Sequence, residues 1–435
     1  MDMKMINDLG DDVLGHIISF LPTREAAFTC LLSKRWRYLF SFLTNLRLDY
    51  DEEVCGGRGK DFVGFTDRAL ALSGKFPTRE ISIKCRKSID SDHVTGWIAK
   101  SLRRGLLKLD IDVIGEYGYC YALPPEIFFT CKNLVELKLA KGFRATLPGD
   151  VSFPSLKKLF LDYVCFKNAG LCVLGKLLSA CPVLEELTVV CRRTWQVTNC
   201  CLNVSSSSLK KLTIECVYDS RDMTFDTPNL VYLEYKDHVR RNYPIVSLES
   251  LVEAKLDVVY YYSGCNPTNL IKGLRNVELL ELSTADTWKI FMDCPQDIPV
   301  FSNLIRFSVK VKVVPLYRYD NHWEFLTILV KKSPNLETLV MKGPLNVDEH
   351  EQLGDRDYGI ACPVKVLKIT EYGGKTGELE RMKHFLQKLP CLELVEVLAY
   401  AVNDEEKSRI TQDLLMVPRP SKCDIQIMFC EKAIP

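Results

Sequence analysis

Side chains able to do chemistry are present in this chain, but they are not gathered. Six histidines (His16, His93, His238, His322, His350 and His384) are dispersed without metal-ligand spacing. None of the 18 cysteines pairs in a CxxC spacing, and Cys131, Cys181, Cys294 and Cys391 sit in hydrophobic repeat segments. Free, buried thiols in a reducing compartment are the expectation. The glycine-rich CGGRGKD at 55–61 invites a phosphate-loop reading. It fails, because Asp61 stands where Ser or Thr is required and Val54 where the first glycine belongs. A turn after the acidic DYDEE segment is the better reading. No GxSxG and no nucleophile–base pairing is found. The sequence therefore points away from an enzyme, with no catalytic, cofactor-binding or metal residue, and toward a protein that works by contact.

Charge narrows the class of contact. The net charge is +1 with 26% charged residues, well mixed, so no global field attracts nucleic acid. Lys34, Arg35 and Arg37 form the one local basic cluster, either a solvated helix face or a contact for an acidic surface. The first twelve residues are acidic and lack an apolar core, so no secretory leader is expected. No apolar run reaches the length of a membrane helix, so no membrane partner is expected.

The most apolar local segment is residues 8–38, DLGDDVLGHIISFLPTREAAFTCLLSKRWRY. Val13, Leu14, Ile17, Ile18, Phe20 and Leu21 put apolar groups on more than one side of a short helix, which Pro22 ends. Thr23 can cap a second helix bearing Ala26, Ala27, Phe28, Leu31 and Leu32. Ser33 can cap a third, anchored by Trp36. About 40 residues are too few to form a stable core alone, so the segment needs a partner or a domain to cap.

The body of the chain is a repeat. An LxxLxL-like hexamer starts at Leu106, Leu134, Leu156, Leu184, Leu209, Leu230, Leu251, Val277, Leu304, Leu336, Val364 and Leu392. Successive starts lie 21 to 32 residues apart. The last two apolar positions share one face of a short strand, and each unit can bury that face only on its neighbour. The expected fold is α/β: a short helical N-terminus, then an irregular parallel-sheet horseshoe of roughly 50 Å for twelve strands. Helical patterns precede some strands (Leu171, Leu174, Leu177, Leu178; Phe325, Leu326, Leu329, Val330), while other returns are too short for a helix.

Residues alternating with the buried ones face the concave side. Glu136, Lys158, Glu186 and Lys211 hold equivalent positions in consecutive repeats, and should form a ladder of exposed pairs. Tyr232, Tyr235, Tyr243 and the Tyr260–Tyr262 run add aromatics. Glu186, Lys211 and Tyr232 are the candidate target-binding residues. The polar segment 343–363 reads as a connecting loop, followed by a strand–helix–strand–helix–strand order that closes on CDIQIMF.

The order VLxxIISFLP…LSKRWR at the N-terminus resembles the F-box, and the closing segment resembles the FBD domain. With ALPPEIFFTCKNLVELKLAKG and FPSLKKLFLDYV, nearly the whole chain is similar to the plant F-box/FBD/leucine-rich-repeat family. The resemblance implies an F-box at 1–48, a leucine-rich-repeat solenoid at 49–355 and an FBD-like region at 356–435 continuing it. It also implies a substrate receptor in cytoplasm or nucleus, docking a Skp-family adaptor, and through it cullin, to promote ubiquitination of a target protein. Leu9, Leu14, Ile17, Leu21 and Pro22 occupy the family's adaptor-contacting positions; Gly10 replaces the proline usual after Leu9. A repeat scaffold that binds a protein or ligand without assembling a ligase is the alternative.

Overall fold

The structure, a computed structural model, describes residues 6–50, 59–73, 78–86, 88–114, 121–128, 131–167, 173–191, 203–216, 222–259, 264–283, 285–310, 322–343 and 363–430. Residues 55–58, Leu171, the Tyr260–Tyr262 run and nearly all of the 343–363 loop lie outside these. The chain forms two compact units, Met1–Leu209 and Lys210–Pro435.

The first unit opens with helices α1 (Asp11–Ser19), α2 (Thr23–Thr29) and α3 (Lys34–Leu39). They feed β1 (Asn45–Tyr50), which pairs parallel with β2 (Glu80–Cys85). The sheet continues in parallel through β3 (Lys108–Val113), β4 (Glu136–Ala140), β5 (Lys158–Asp162) and β6 (Glu186–Cys191). Helices α4 (Gly59–Leu72), α5 (Ser91–Leu102) and α6 (Val173–Ser179) lie between strands. Gly59 and Lys60 open α4.

The second unit carries β7 (Lys211–Cys216), β8 (Tyr232–His238), β9 (Glu253–Val259), β10 (Leu279–Leu282), β11 (Arg306–Lys310), β12 (Thr338–Lys342), β13 (Val366–Tyr372), β14 (Leu394–Tyr400) and β15 (Asp424–Cys430). Each pairs parallel with the next. Its returns vary: α7 (Thr268–Gly273), α8 (Ala285–Met292), α9 (His322–Lys332), α10 (Thr376–Lys388) and α11 (Asp404–Leu415) in some repeats, short strands such as Thr224–Asp226 and Val246–Ser247 in others.

The hexamer explains this geometry. Its first leucine closes a turn: the N–H of Leu134, Leu156, Leu184, Leu230, Leu251, Leu304 and Leu336 each donates to the carbonyl three residues before. All seven side chains are essentially inaccessible. The next two N–H groups converge on one carbonyl of the preceding repeat, as Ile305 and Arg306 do on Glu278 and Glu337 and Thr338 on Ile305. Asparagines before the leucine extend the ladder, Asn276 donating to the Glu249 carbonyl and Asn335 to that of Ser302. The strand leucines then stack on their neighbours, each worth about 1.5–3 kcal/mol. The fold class is α/β, a helical front followed by a leucine-rich-repeat stack.

Several local expectations change. β1 and β2 begin the stack earlier than the first hexamer read from the sequence. Thr23 does not cap α2; its hydroxyl is buried and accepts from the Arg47 N–H at 2.8 Å, pinning α2 to β1. Ser33 does cap α3, accepting from the Trp36 N–H, and Trp36 is buried beneath it. Cys131 and Cys181 are buried, with the Cys181 thiol pushed up to about 12 by burial, whereas Cys391 is exposed.

Candidate functional site: the helical front and the open sheet face

On the helical front the apolar residues divide between two sides. Leu14 and Ile18 are wholly buried with Ala26, Trp36 and Leu39. Val13, Ile17 and Phe20, spaced i, i+4, i+7, point the other way, and Phe20 is 75% exposed. Phe28 on α2 and Leu31 and Leu32 beyond it are 58%, 80% and 68% exposed. Leu9 and Leu21 are half-buried and Pro22 is exposed. Leu14 is therefore a correction: it supports this face from beneath and presents nothing to a partner. Phe28, on the outer side of α2, and Leu31 and Leu32, just past its end, stand in solvent. Their exposure is what sequence periodicity missed; the uninterrupted Cys-Leu-Leu run past the helix end was the available signal.

The front is held rigidly enough to present that face. The Arg35 guanidinium donates to Asp11 Oδ1 at 2.8 Å and to the Leu9 carbonyl at 2.5 Å, tying α3 to the start of α1. Of the basic cluster, Lys34 and Arg37 remain exposed while Arg35 serves this tie. Gly10 sits at φ −64°, ψ 156°, the backbone a proline would impose, so its substitution leaves the entry to α1 unchanged in direction.

The open face of the first unit is a charge ladder. Register aligns Glu136 with Lys158 and Lys158 with Glu186. Lys158 Nζ lies 2.7 Å from Glu186 Oε1 and Lys108 Nζ 3.1 Å from Glu136 Oε1. The bond to Glu186 holds the Lys158 ammonium pKa above its ordinary value. Lys138 bridges toward Asp110 and lies over the Phe160 ring.

In the second unit Lys211 aligns with Tyr232, and its Nζ sits 4.8 Å from the ring centroid. Lys255 Nζ approaches the same ring at 5.3 Å from the adjoining strand. The Tyr232 hydroxyl donates to Glu234 Oε2 at 2.9 Å. Partial burial, and then Glu234, push its pKa up. Tyr232 is thus a half-buried ring clamped between two cations. Glu186 and Lys211 belong to different units, each engaged with its own neighbours. Tyr235 and Tyr243 are corrections: both are wholly buried, in a polar core cluster with Asp237 and Arg240. The Tyr235 hydroxyl donates to Asp237 Oδ2 at 3.1 Å, Arg240 Nε does so at 2.8 Å, and the two tyrosine hydroxyls are 3.2 Å apart.

Among the described residues no group of histidine, cysteine and carboxylate side chains could hold a metal ion, and no helix is long and apolar enough to cross a membrane. An F-box domain model matches residues 6–47. The model described as "FBD-associated F-box protein At5g56370, LRR repeats" matches residues 94–251. The F-box/LRR-repeat protein At3g58980 of Arabidopsis thaliana is 40% identical, over 98% of this chain and 74% of its own length. The putative F-box/LRR-repeat proteins At3g58920 and At5g15620, also of Arabidopsis thaliana, are 39% and 38% identical over 98% of this chain and 100% of their own. With helical front and repeats matched together along nearly its whole length, the chain belongs to the F-box/LRR-repeat protein family.

Proposed function

We propose that this chain is a substrate-recognition subunit of a Skp–cullin–F-box ubiquitin ligase. The F-box docks the Skp-family adaptor through Ile17, Phe20, Leu21, Pro22, Leu31 and Leu32, with Leu9 at the margin. The repeats hold a target protein, with Lys211 and Tyr232 among the polar contacts of the second unit and Glu186 a candidate contact on the first. Such a subunit needs no catalytic residues of its own: it raises the effective concentration of target at a ubiquitin-charged enzyme brought by the cullin. The observation that carries this reading is the exposed apolar face of the front. Phe20, Leu31 and Leu32 stand in water while their neighbours Leu14 and Ile18 are sealed. Covering one such side chain is worth about 1.5–3 kcal/mol, so a handful support a stable complex.

A pull-down with purified Skp-family adaptor tests it. Wild type is retained, and Ile17→Asp combined with Phe20→Asp is not, while both keep the same thermal unfolding. Loss of retention in the wild type itself would favour the scaffold that binds without ligase assembly.

A further inference from the structure

The open sheet face changes character inside the second unit. The first position of each strand forms one row, and register fixes its order as Glu253, Leu279, Arg306, Thr338, Val366, Leu394 and Asp424. In the first unit the same row reads Glu80, Lys108, Glu136, Lys158 and Glu186, alternating charges that neutralise one another. From Leu279 to Leu394 the row carries no acid. Leu279, Thr338, Val366 and Leu394 are half-buried, each alternating with fully buried core residues and so facing out. Arg306 stands exposed among them and makes no ion pair among the described residues.

The neighbouring row walls this strip. Lys342 Nζ reaches across β11 to Glu281 Oε2 at 2.7 Å, over Ser308 and Val340, which are 5% and 2% exposed. Lys368 bridges to Glu396 at 2.5 Å on the next pair of strands. The row beside the strip is thus already neutralised, and the strip's one uncompensated charge is the Arg306 guanidinium. Glu253 and Asp424 close its two ends.

We propose that this strip seats an extended segment of a partner protein bearing an acidic side chain between apolar ones. The inference rests on the reading that the repeats select a target, and gives that target a chemistry. The carboxylate meets Arg306, whose planar fork suits it. Apolar side chains on either hand cover Leu279 on one flank and Val366 and Leu394 on the other. Four strand spacings of about 4.8 Å make the strip roughly 19 Å long, the reach of about six extended residues. Asp424 disfavours a further acidic residue past the Leu394 end, while Glu253 at the other end is already paired with Lys255 at 3.2 Å.

The test is a selection of displayed random heptapeptides on the full chain, with binding of the enriched peptides measured by fluorescence anisotropy. Enriched peptides carry one Asp or Glu flanked by apolar residues. Arg306→Glu and Val366→Asp each weaken them at least tenfold, and selection on Arg306→Glu returns a basic residue in place of the acid. Lys158→Glu, on the first unit, changes binding less than twofold. Failure to enrich any peptide, binding that survives Arg306→Glu within twofold, or binding lost with Lys158→Glu overturns the proposal. Adaptor retention measured on the same preparations separates the two readings: a chain that selects these peptides yet ignores the adaptor loses only its place in a ligase.

Discussion

In the repeats the inward-facing strand leucines each find a neighbour. Leu137, Leu159 and Leu187 stack across β4, β5 and β6 and are each nearly inaccessible. In the helical front the same residue types divide: Leu14 and Ile18 are sealed, while Phe20, Leu31 and Leu32 stand in water. The difference is not merely that a stack must end somewhere. At the far end β15 leaves Ile425, Ile427 and Phe429 half-covered and interleaves them with Asp424, Gln426 and a single exposed large apolar residue, Met428. That is how an edge is blunted, with polar residues between shallow apolar ones. The front has no such interleaving at Leu31 and Leu32, so its apolar face is left open to solvent.

The strongest way to break this comparison is to place one charge on each side of the front. Leu14→Asp buries an unpaired carboxylate and is expected to cost more than about 4 kcal/mol. Phe20→Asp changes stability by less than about 1 kcal/mol, because its ring is already hydrated. Hydrogen exchange of amides 11–39 distinguishes them: protection collapses in the first variant and persists in the second. Equal protection in both would mean the two sides of α1 are not different.

A second contrast sets buried against exposed charge. Asp237 and Arg240 are an ion pair with essentially no access to solvent. Asp237→Ala removes the carboxylate paired with this buried guanidinium, at an expected cost of about 3–5 kcal/mol. Lys158→Ala removes an exposed rung of the ladder and costs under about 1 kcal/mol. Denaturant midpoints of the two variants measure the gap directly.

The same cluster gives a pH dependence whose sign is fixed by its environment. Burial raises the Asp237 carboxyl to about 6, against the opposing pull of Arg240 and of hydrogen bonds from the His238 N–H and the Tyr235 hydroxyl. An acid whose folded pKa exceeds its unfolded one stabilises the fold when protonated. That contribution is complete below about 4, the unfolded value, and is lost as pH rises through about 6. The unfolding midpoint should therefore fall between about pH 4 and 6, and Asp237→Asn should flatten the profile over that window.

Much of this architecture was legible in the hexamers, because a period-2 strand and a buried corner leucine leave a strong mark. β1 obeys the same rule, with Leu43, Leu46 and Leu48, but it follows the helices without a break and was absorbed into them. β2 puts Thr78 at the corner and so lacks the first apolar position. Tyr235 fills the last apolar position of the hexamer that starts at Leu230, so its burial was legible; Tyr243 could not be told from a surface tyrosine, since only the fold brings it to the Tyr235 hydroxyl. The strip from Leu279 to Leu394 was written in the sequence as apolar residues at the variable position of VELLEL, VKVLKI and LELVEV. It went unread because an apolar residue there is indistinguishable, one repeat at a time, from a thicker core. Only register shows that such residues line up.

The smallest expected effect concerns the one departure from the family pattern. Gly10 already holds φ −64°, and its carbonyl accepts from the Leu14 N–H at 3.0 Å. Proline at this position keeps both and removes freedom from the unfolded chain, a gain of about 0.4–1 kcal/mol. A new Cβ would meet Asp12 Oδ1 at 2.5 Å, but that atom ends an exposed side chain that can turn away. Gly10→Pro should raise the unfolding midpoint slightly and leave adaptor retention unchanged, since the exposed face of α1 does not move. Tighter retention would mean instead that the glycine loosens the face before docking, and that the front is less preorganised than the Arg35 tie to Leu9 and Asp11 implies.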